Sequence, residues 1–378
     1  MSQRLKTDWI LFVTIACMVA FGLVMVYSAS SVMADLVYKS SYYFALRQVG
    51  WAVLSFGALM YFMRKDYRRM RDPLWAFVSL GVVIAALVAV YFFDPKAHRW
   101  FRWGGASLQP SEFAKPALIV FLAWFVTLRS RAINTRHTVL PATLALMMLA
   151  AIVVVADLGT AVVLVLTAAV VFYVAGLERR YFIAALAVAV VLAGAAVLWK
   201  PYRLARILAF VDPGYTMLGK LDPSGSTKRY MSEWATRDTN YQARQSKIAV
   251  GSGGALGLGL MQGKQKILYL PEAHTDFIYA VVGEELGFFG ASAILAGFLI
   301  IVWRGLTLCW GVQDEFGRML ALGVTACIAI QALINISVVL DMGPTKGIPL
   351  PMLSAGGSSL LSTLICLGML LSVSEHSA

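Results

Sequence analysis

Long apolar runs separated by short polar or charged stretches dominate the 378-residue chain. A helix that crosses a bilayer core of about 30 Å needs about 17–25 apolar residues, and ten runs come close to this length or reach it. They cover residues 10–27, 43–63, 73–93, 113–128, 140–156, 159–176, 181–198, 277–303, 318–340 and 350–373. The pattern predicts an all-α polytopic membrane protein of about ten transmembrane helices, built as one domain over residues 1–378.

The distribution of Lys and Arg predicts the orientation of these helices. Basic residues concentrate in alternate short loops, such as 64–71 and 129–136, which the positive-inside rule assigns to the cytoplasm. Both termini are then inside, and residues 200–271 form a large extracytoplasmic loop between helices 7 and 8. The first apolar run has few early charges and no small-residue cleavage site, so we interpret it as a retained helix rather than a signal peptide.

Composition agrees with this class and excludes others. The chain is 60% hydrophobic and 14% charged, whereas soluble domains rarely exceed about 50% apolar residues. The net charge of +12 follows from membrane topology and contact with anionic lipids, and we expect no nucleic-acid partner. The four cysteines lie in or beside apolar runs without C-x-x-C spacing, which favours buried thiols over disulfides or a metal site.

Carboxylates precede and interrupt the eighth apolar run, at Glu272, Asp276, Glu284 and Glu285. An ionisable side chain at membrane depth costs about 2.5–3.5 kcal/mol, so it needs a partner or a function. If the segment is helical from Glu272 onward, Glu272 and Asp276 share one face, which continues as a stripe of glycines at positions 283, 287 and 290. Glu284 and Glu285 then point elsewhere and require partners deeper in the protein.

Asp276 suits two kinds of function. A carboxylate at the outer mouth, near basic loops, could be the general base for an anionic, lipid-linked substrate. An intramembrane carboxylate could equally relay protons or bind a transported ion. The residue pattern alone leaves both interpretations open.

Three further segments carry candidate chemistry. The loop at 94–105 interleaves Arg with Trp, as either an interfacial belt or an anionic-headgroup site. Pro110 suits a first helical position, which puts Glu112 and Lys115 on one face, as an ion pair or with one of them facing substrate. Residues 203–213 predict an amphipathic interfacial helix ended by proline, and the glycine-rich stretch at 251–259 predicts a re-entrant turn or a close backbone approach to a ligand.

Motifs spread along the chain resemble the SEDS family (shape, elongation, division and sporulation), whose members polymerise peptidoglycan. They lie at residues 99–100, 109–115, 157–160, 206–213, 265–266, 270–277, 283–287 and 344–359. The most specific match is Pro-Glu-Ala-His-Thr-Asp-Phe at 271–277 followed by Gly-Glu-Glu-Leu-Gly at 283–287. The resemblance covers nearly the whole chain and implies a ten-helix glycosyltransferase that uses lipid II.

The resemblance also implies roles for individual residues. Asp276 would be the catalytic base that activates an acceptor hydroxyl for attack on the donor's anomeric carbon, with inversion and release of undecaprenyl pyrophosphate. Arg99 and Arg206 would contact the pyrophosphate. The full set of expected substrate-binding residues is Arg99, Glu112, Lys115, Asp157, Arg206, His274, Lys346 and Ser358. A divalent cation, Mg²⁺ or Mn²⁺, is a potential cofactor, and no ligand set for it is readable in the sequence.

Within the family, the motifs are more similar to the division member FtsW than to the elongation member RodA, which predicts a septal role. An elongation polymerase and a lipid II flippase are the alternatives. The implied partners are lipid II, a class B penicillin-binding protein and proteins of the divisome or elongasome, in the bacterial inner membrane with the active site on the extracytoplasmic side. Ala156 and Ala355 depart from the usual Pro and Tyr of the family motifs.

Overall fold

The computed structural model describes residues 7–94, 98–103, 106–211, 238–267, 269–344 and 347–377. Apart from one short antiparallel hairpin, β1 (Phe101–Trp103) and β2 (Ala106–Leu108), its regular structure is helical. The longer helices are α1 (Trp9–Tyr38), α2 (Tyr43–Arg64), α3 (Pro73–Phe93), α4 (Pro110–Arg129), α5 (Arg136–Ala156), α6 (Leu158–Val174), α7 (Arg179–Leu198), α8 (Pro201–Val211), α9 (Asp238–Ser252), α10 (Ile278–Gly311), α11 (Glu315–Val339) and α12 (Gly357–His376). Tyr67–Arg71 and Ser130–Ala132 form short 3₁₀ helices.

The predicted all-α membrane architecture is confirmed. In the described part of the chain, eight helices are long and apolar enough to cross a membrane: α1, α3, α4 with the adjoining 3₁₀ turn, α5, α7, α10, α11 and α12. The second and sixth predicted spans coincide with α2 and with the shorter apolar helix α6. Nine of the ten apolar runs therefore lie almost entirely on helices, and the tenth begins at residue 350, seven residues before α12. The number of crossings and their orientation stay predictions.

Short polar side chains define where several helices begin. Asp72 accepts a hydrogen bond from Leu74 N (2.9 Å) ahead of Pro73 at the first position of α3. Asp157 separates α5 from α6 and accepts from Gly159 N (2.8 Å). Such caps satisfy amide groups that the first helical turn leaves without partners. The cap at Asp157 therefore explains why one continuous apolar stretch folds as two helices.

The helices differ strongly in how deeply they are packed. α4, α11 and α12 are buried along most of their length, and α12 packs closely against α2 while α11 contacts α4, α6 and α10. In contrast, α7 contributes no buried residue. The core therefore lies around α4, α10, α11 and α12, and these helices carry most of the polar contacts described below.

The predicted large loop at 200–271 contains ordered structure. The amphipathic helix expected at 203–213 is present as α8, although its terminal proline lies outside the described residues. The glycine-rich stretch makes a turn against the N-terminal part of α10, where Leu258 N and Gly259 N donate to the carbonyls of Glu284 and Glu285 at 3.0 and 2.9 Å. Of the two interpretations of the glycines, the turn that packs on the chain's own backbone is the one observed.

Gly287 makes this packing possible. Its φ of 64° is left-handed and breaks α10, and a Cβ there would overlap the backbone of Ala255 and Gly257. Gly283 lies against Val250 of α9. Close approach at these two glycines agrees with the predicted stripe, whereas Gly290 faces only Leu286 of its own helix.

The predicted run at 277–303 matches the start of α10, but the assumption that the chain is already helical at Glu272 does not hold. The helix begins at Ile278, and Glu272 has a left-handed φ of 55°. Its carbonyl accepts from Thr275 N (3.1 Å) and Phe277 N (3.3 Å), so residues 272–277 form a tight turn instead of a helical one. Asp276 consequently lies just outside the helix, where its position depends on neighbouring loops.

Candidate functional site

A cavity of about 540 Å³ opens where the turn before α10 meets the loops around it. Five of the residues expected to contact substrate or catalyse the reaction line it: Arg99, Asp157, Arg206, Asp276 and Ser358. Other lining residues are Trp100, Gln109, Arg203, Gln242, Glu272, Thr275, Gly347, Gly356 and Ser359. Segments that are distant in sequence thus bring both acids and cations to one space.

Asp276 is held from two sides. Its backbone carbonyl accepts a hydrogen bond from Asn335 Nδ2 of α11 (2.8 Å). Its carboxylate lies against Gly347, where a Cβ would overlap the oxygen Oδ2. In the described part of the chain this carboxylate accepts no hydrogen bond, so it remains available to a ligand in the cavity.

The surroundings of Asp276 favour its protonated form. Burial first, and then the nearby carboxylates of Glu272 and Asp157, raise the pKa of Asp276 to about 7, against the opposing effect of the guanidinium groups of Arg99 and Arg206. A carboxylate with a pKa near neutral pH can both accept and release a proton there, as a general base requires.

Arg99 and Asp157 form an ion pair at the rim of the cavity. Arg99 Nη2 donates to Asp157 Oδ2 at 3.1 Å, and Thr160 Oγ1 donates to the same oxygen at 2.9 Å. The guanidinium carbon of Arg99 is 5.7 Å from the centre of the Trp100 ring. Arg99 Nε is buried and has no hydrogen-bond partner among the described residues. Asp157 therefore orients a cation that retains a free donor.

Helix α8 contributes a second cation. Arg203 is buried and donates to the carbonyls of Ala196 (3.0 Å) and Val154 (2.8 Å), near the ends of α7 and α5. These contacts fasten α8 across the two helix ends. Arg206, three residues later on the same helix, lines the cavity. Sequence reasoning identified Arg206 and missed Arg203, although its spacing from Arg206 was a usable signal.

Glu112 and Lys115 do not line the cavity. Lys115 Nζ lies 2.7 Å from Glu112 Oε2, and both side chains are buried, as the ion-pair interpretation expected. His274 is also buried, with its ring 4.8 Å from that of Phe44, and burial lowers its pKa. Direct contact of these three residues with substrate stays a prediction. Lys346 lies outside the described residues.

The amides Gln331 and Asn335 were missed entirely. Both are buried in α11 and bind loops at the cavity, but an amide within an apolar helix carries no signal that separates this role from packing. Among the described residues, no group of three or more His, Cys, Asp or Glu side chains could hold a metal ion. The Mg²⁺ or Mn²⁺ cofactor implied by the resemblance stays a prediction.

Comparison with known proteins agrees with these features. The family model described as "Cell cycle protein" (FtsW, RodA and SpoVE) matches residues 8–378. A probable peptidoglycan glycosyltransferase FtsW of Trichlorobacter lovleyi is 40% identical over 373 residues, covering 97% of this chain and 93% of that protein. Stage V sporulation protein E of Bacillus subtilis is 37% identical over 382 residues, covering 100% and 99%.

Solved structures share the fold. A chain from a peptidoglycan synthase complex that coordinates polymerization and crosslinking superposes with a TM-score of 0.75, at 26% identity and 98% coverage of both chains. The rod shape determining protein RodA of Thermus thermophilus superposes with a TM-score of 0.65 at 23% identity, with 98% of each chain covered, and shows the fold alone. The family expected from the motifs is confirmed: this integral membrane protein belongs to the FtsW, RodA and SpoVE family of cell cycle proteins.

Proposed function

We propose that this chain polymerises lipid II into glycan strands during cell division, as an inverting glycosyltransferase with Asp276 as general base. The relatives named as probable peptidoglycan glycosyltransferases support the activity. The observation that carries the mechanism is the cavity itself, where the half-buried Asp276 carboxylate, without a hydrogen-bond partner among the described residues, faces the cations Arg99 and Arg206.

The reaction needs a base at the acceptor. The ionised Asp276 takes the proton from the acceptor's sugar hydroxyl as that oxygen attacks the anomeric carbon of the donor. The bond between this carbon and the pyrophosphate oxygen breaks from the opposite face, so the configuration inverts and undecaprenyl pyrophosphate leaves. General-base catalysis of this kind contributes about 10²–10⁴-fold, and a pKa near 7 suits it at neutral pH.

The leaving group needs positive charge. Negative charge grows on the pyrophosphate as its bond to the sugar breaks, and fixed cations in a confined site stabilise it. Arg99, with Nε free and Nη2 held by Asp157, and Arg206 on α8 are suited to this task. The proposed steps are assigned to these protein side chains.

The cellular role follows from the relatives. Several proteins that are 32–40% identical to this chain carry the name FtsW, which favours a septal polymerase over a RodA-like elongation polymerase. We propose the bacterial inner membrane as its location, with the cavity on the extracytoplasmic side. The structural neighbour from a peptidoglycan synthase complex supports a class B penicillin-binding protein as partner. Further divisome proteins belong to the same proposal.

A gel assay with labelled lipid II tests the polymerase. The purified chain is incubated with its cognate penicillin-binding protein, whose own active site is blocked, and products are separated by length. Wild type is expected to give a glycan ladder, Asp276→Asn none, and the exposed-carboxylate control Asp35→Asn a normal one. A ladder from Asp276→Asn would remove Asp276 from the mechanism. Absence of a ladder from wild type, with transfer of lipid II across liposomes, would favour the flippase.

A further inference from the structure

The Glu112–Lys115 pair has its partners inside the protein. Besides Glu112, Lys115 Nζ donates to Gln331 Oε1 of α11 at 2.8 Å. All three residues are at most 3% exposed, and none lines the cavity. Any effect of this pair on the reaction therefore has to pass through Gln331 and the groups that it contacts.

Gln331 and Asn335 extend the hydrogen bonding from Lys115 to the segment that carries Asp276. Gln331 Nε2 donates to the carbonyl of Pro349 at 2.8 Å. Asn335, one helical turn later, donates through Nδ2 to the carbonyls of Ile348 (2.7 Å) and Asp276 (2.8 Å). The two amides thus bind both segments that form the floor of the cavity, residues 272–277 and 347–350.

Lys115 determines which way Gln331 points. An ammonium group can only donate, and a backbone carbonyl can only accept. Gln331 satisfies both neighbours only with its oxygen toward Lys115 and its NH₂ group toward Pro349. Glu112 in turn neutralises Lys115, because an unpaired ammonium group buried at this depth would be costly.

Residues 354–355, which follow the 347–350 segment, also bind the turn that carries Asp276. Ser354 Oγ donates to the carbonyl of Thr275 at 2.5 Å, and Ala355 N donates to that of His274 at 2.9 Å. Within the 347–350 segment, Gly347 lies against the carboxylate of Asp276, and a Cβ at this position would overlap its oxygen Oδ2. Small movements of the 347–350 segment therefore transmit to the carboxylate.

On the basis of the proposed function, we infer that Lys115, Gln331 and Asn335 are positioning residues that hold these two segments together and so set the location of the Asp276 carboxylate. Glu112 serves the same purpose by keeping Lys115 charged and in place. Reacting groups must be held closely, since a misplacement of about 1 Å can cost about 10²-fold in rate.

Isosteric variants test this role. Gln331→Met and Asn335→Leu remove the donors with little change in volume. Each is expected to lower kcat for lipid II polymerisation by about 10–100-fold with little change in KM, because the lost interaction positions the base and does not bind substrate. The fold-decrease in kcat of the double variant is expected to be smaller than the product of the two single fold-decreases, since both substitutions act on the same segments.

Thr325→Val is the matched control. Thr325 is equally buried on α11, but its hydroxyl donates only to Ala321 of its own helix (2.7 Å). Its activity is expected to equal that of wild type. Hydrogen–deuterium exchange over residues 272–277 supplies a second measurement, and faster exchange is expected in the Gln331 and Asn335 variants but not in the Thr325 variant.

Several results would overturn the inference. Wild-type kcat in both variants, or a raised KM at constant kcat, would exclude a positioning role, as would unchanged exchange in an inactive variant. If Asn335→Leu does not fold, Gln331→Met decides, because it leaves Asn335 in place. A wild type that makes no glycan would refute the proposed function, and the exchange rates would still decide whether the amides hold the base.

Discussion

Replacing Asp276 with asparagine is expected to stabilise the folded protein at alkaline pH while it abolishes polymerisation. Burial first, and then the carboxylates of Glu272 and Asp157, raise the pKa of Asp276 from an ordinary 3.8 to about 7. Ionising this side chain therefore costs more free energy in the folded protein than in the unfolded chain. Asparagine keeps the shape of the side chain and removes the charge.

The sign of the effect follows from the two pKa values. Near pH 4 and below, the carboxyl is protonated in the folded protein, and wild type and variant differ little. As pH rises toward about 7, the Asp276 carboxyl is ionised in the unfolded chain but still protonated in the folded protein, so the free energy of unfolding of wild type falls. Each pKa unit corresponds to about 1.4 kcal/mol. Because Asp276 is partly exposed to an open cavity, screening reduces the total to about 1–2 kcal/mol between pH 5 and pH 8.

Thermal unfolding in detergent measures this difference. The midpoint of Asp276→Asn is expected to exceed that of wild type by about 2 °C or more at pH 8, and the gap is expected to shrink at pH 5. Asp35→Asn, which changes an exposed carboxylate, is expected to show no such trend. An Asp276→Asn variant that is less stable than wild type at pH 8, or a gap that does not vary with pH, would refute the reasoning.

Two further substitutions probe the walls of the cavity. Gly347→Ala is expected to lower kcat by about tenfold or more, because its Cβ would displace the carboxylate of Asp276. Its control, Gly343→Ala, has open space around the new Cβ and is expected to retain activity. Equal rates for the two variants would contradict the contact between Gly347 and Asp276. Arg206→Gln is expected to lower kcat/KM about 10²-fold through lost stabilisation of the leaving pyrophosphate, whereas Arg102→Gln, an exposed change outside the cavity, is expected to be neutral in the same lipid II assay.

The architecture was predictable because a membrane restricts the options. Backbone groups in lipid must bond internally, so every sufficiently long apolar run was expected to be a helix. Nine runs lie almost entirely on helices, and the tenth lies on α12 from Gly357 onward. The amphipathic α8 and the break at Asp157 were equally readable, since a hydrophobic face and a capping carboxylate act within a few residues.

The details of the site depend on contacts between distant segments. The start of α10 agrees with the predicted run, but the turn at residues 272–277 was not expected, because the left-handed conformation of Glu272 is unusual for a non-glycine residue. The link from Lys115 to Gln331 joins residues 216 positions apart. No periodicity within one helix can reveal such a pair, so the role of Gln331 became visible only in the folded protein.

The remaining acids of α10 bear on the choice between polymerase and transporter. A transporter would use intramembrane carboxylates for passage, yet Glu284 accepts from the amides of Lys264 (2.7 Å) and Gln265 (3.1 Å). Glu285 pairs with Lys266 at 2.5 Å and accepts from Ser28. Both carboxylates therefore hold the turn at residues 253–267 against α10. The hydrogen bonds and the ion pair offset the free energy that burying them costs, so no transport role is needed to explain them. Among the carboxylates of the described chain that line the cavity, Asp276 alone accepts no hydrogen bond, which is the condition expected of a base that waits for an acceptor hydroxyl.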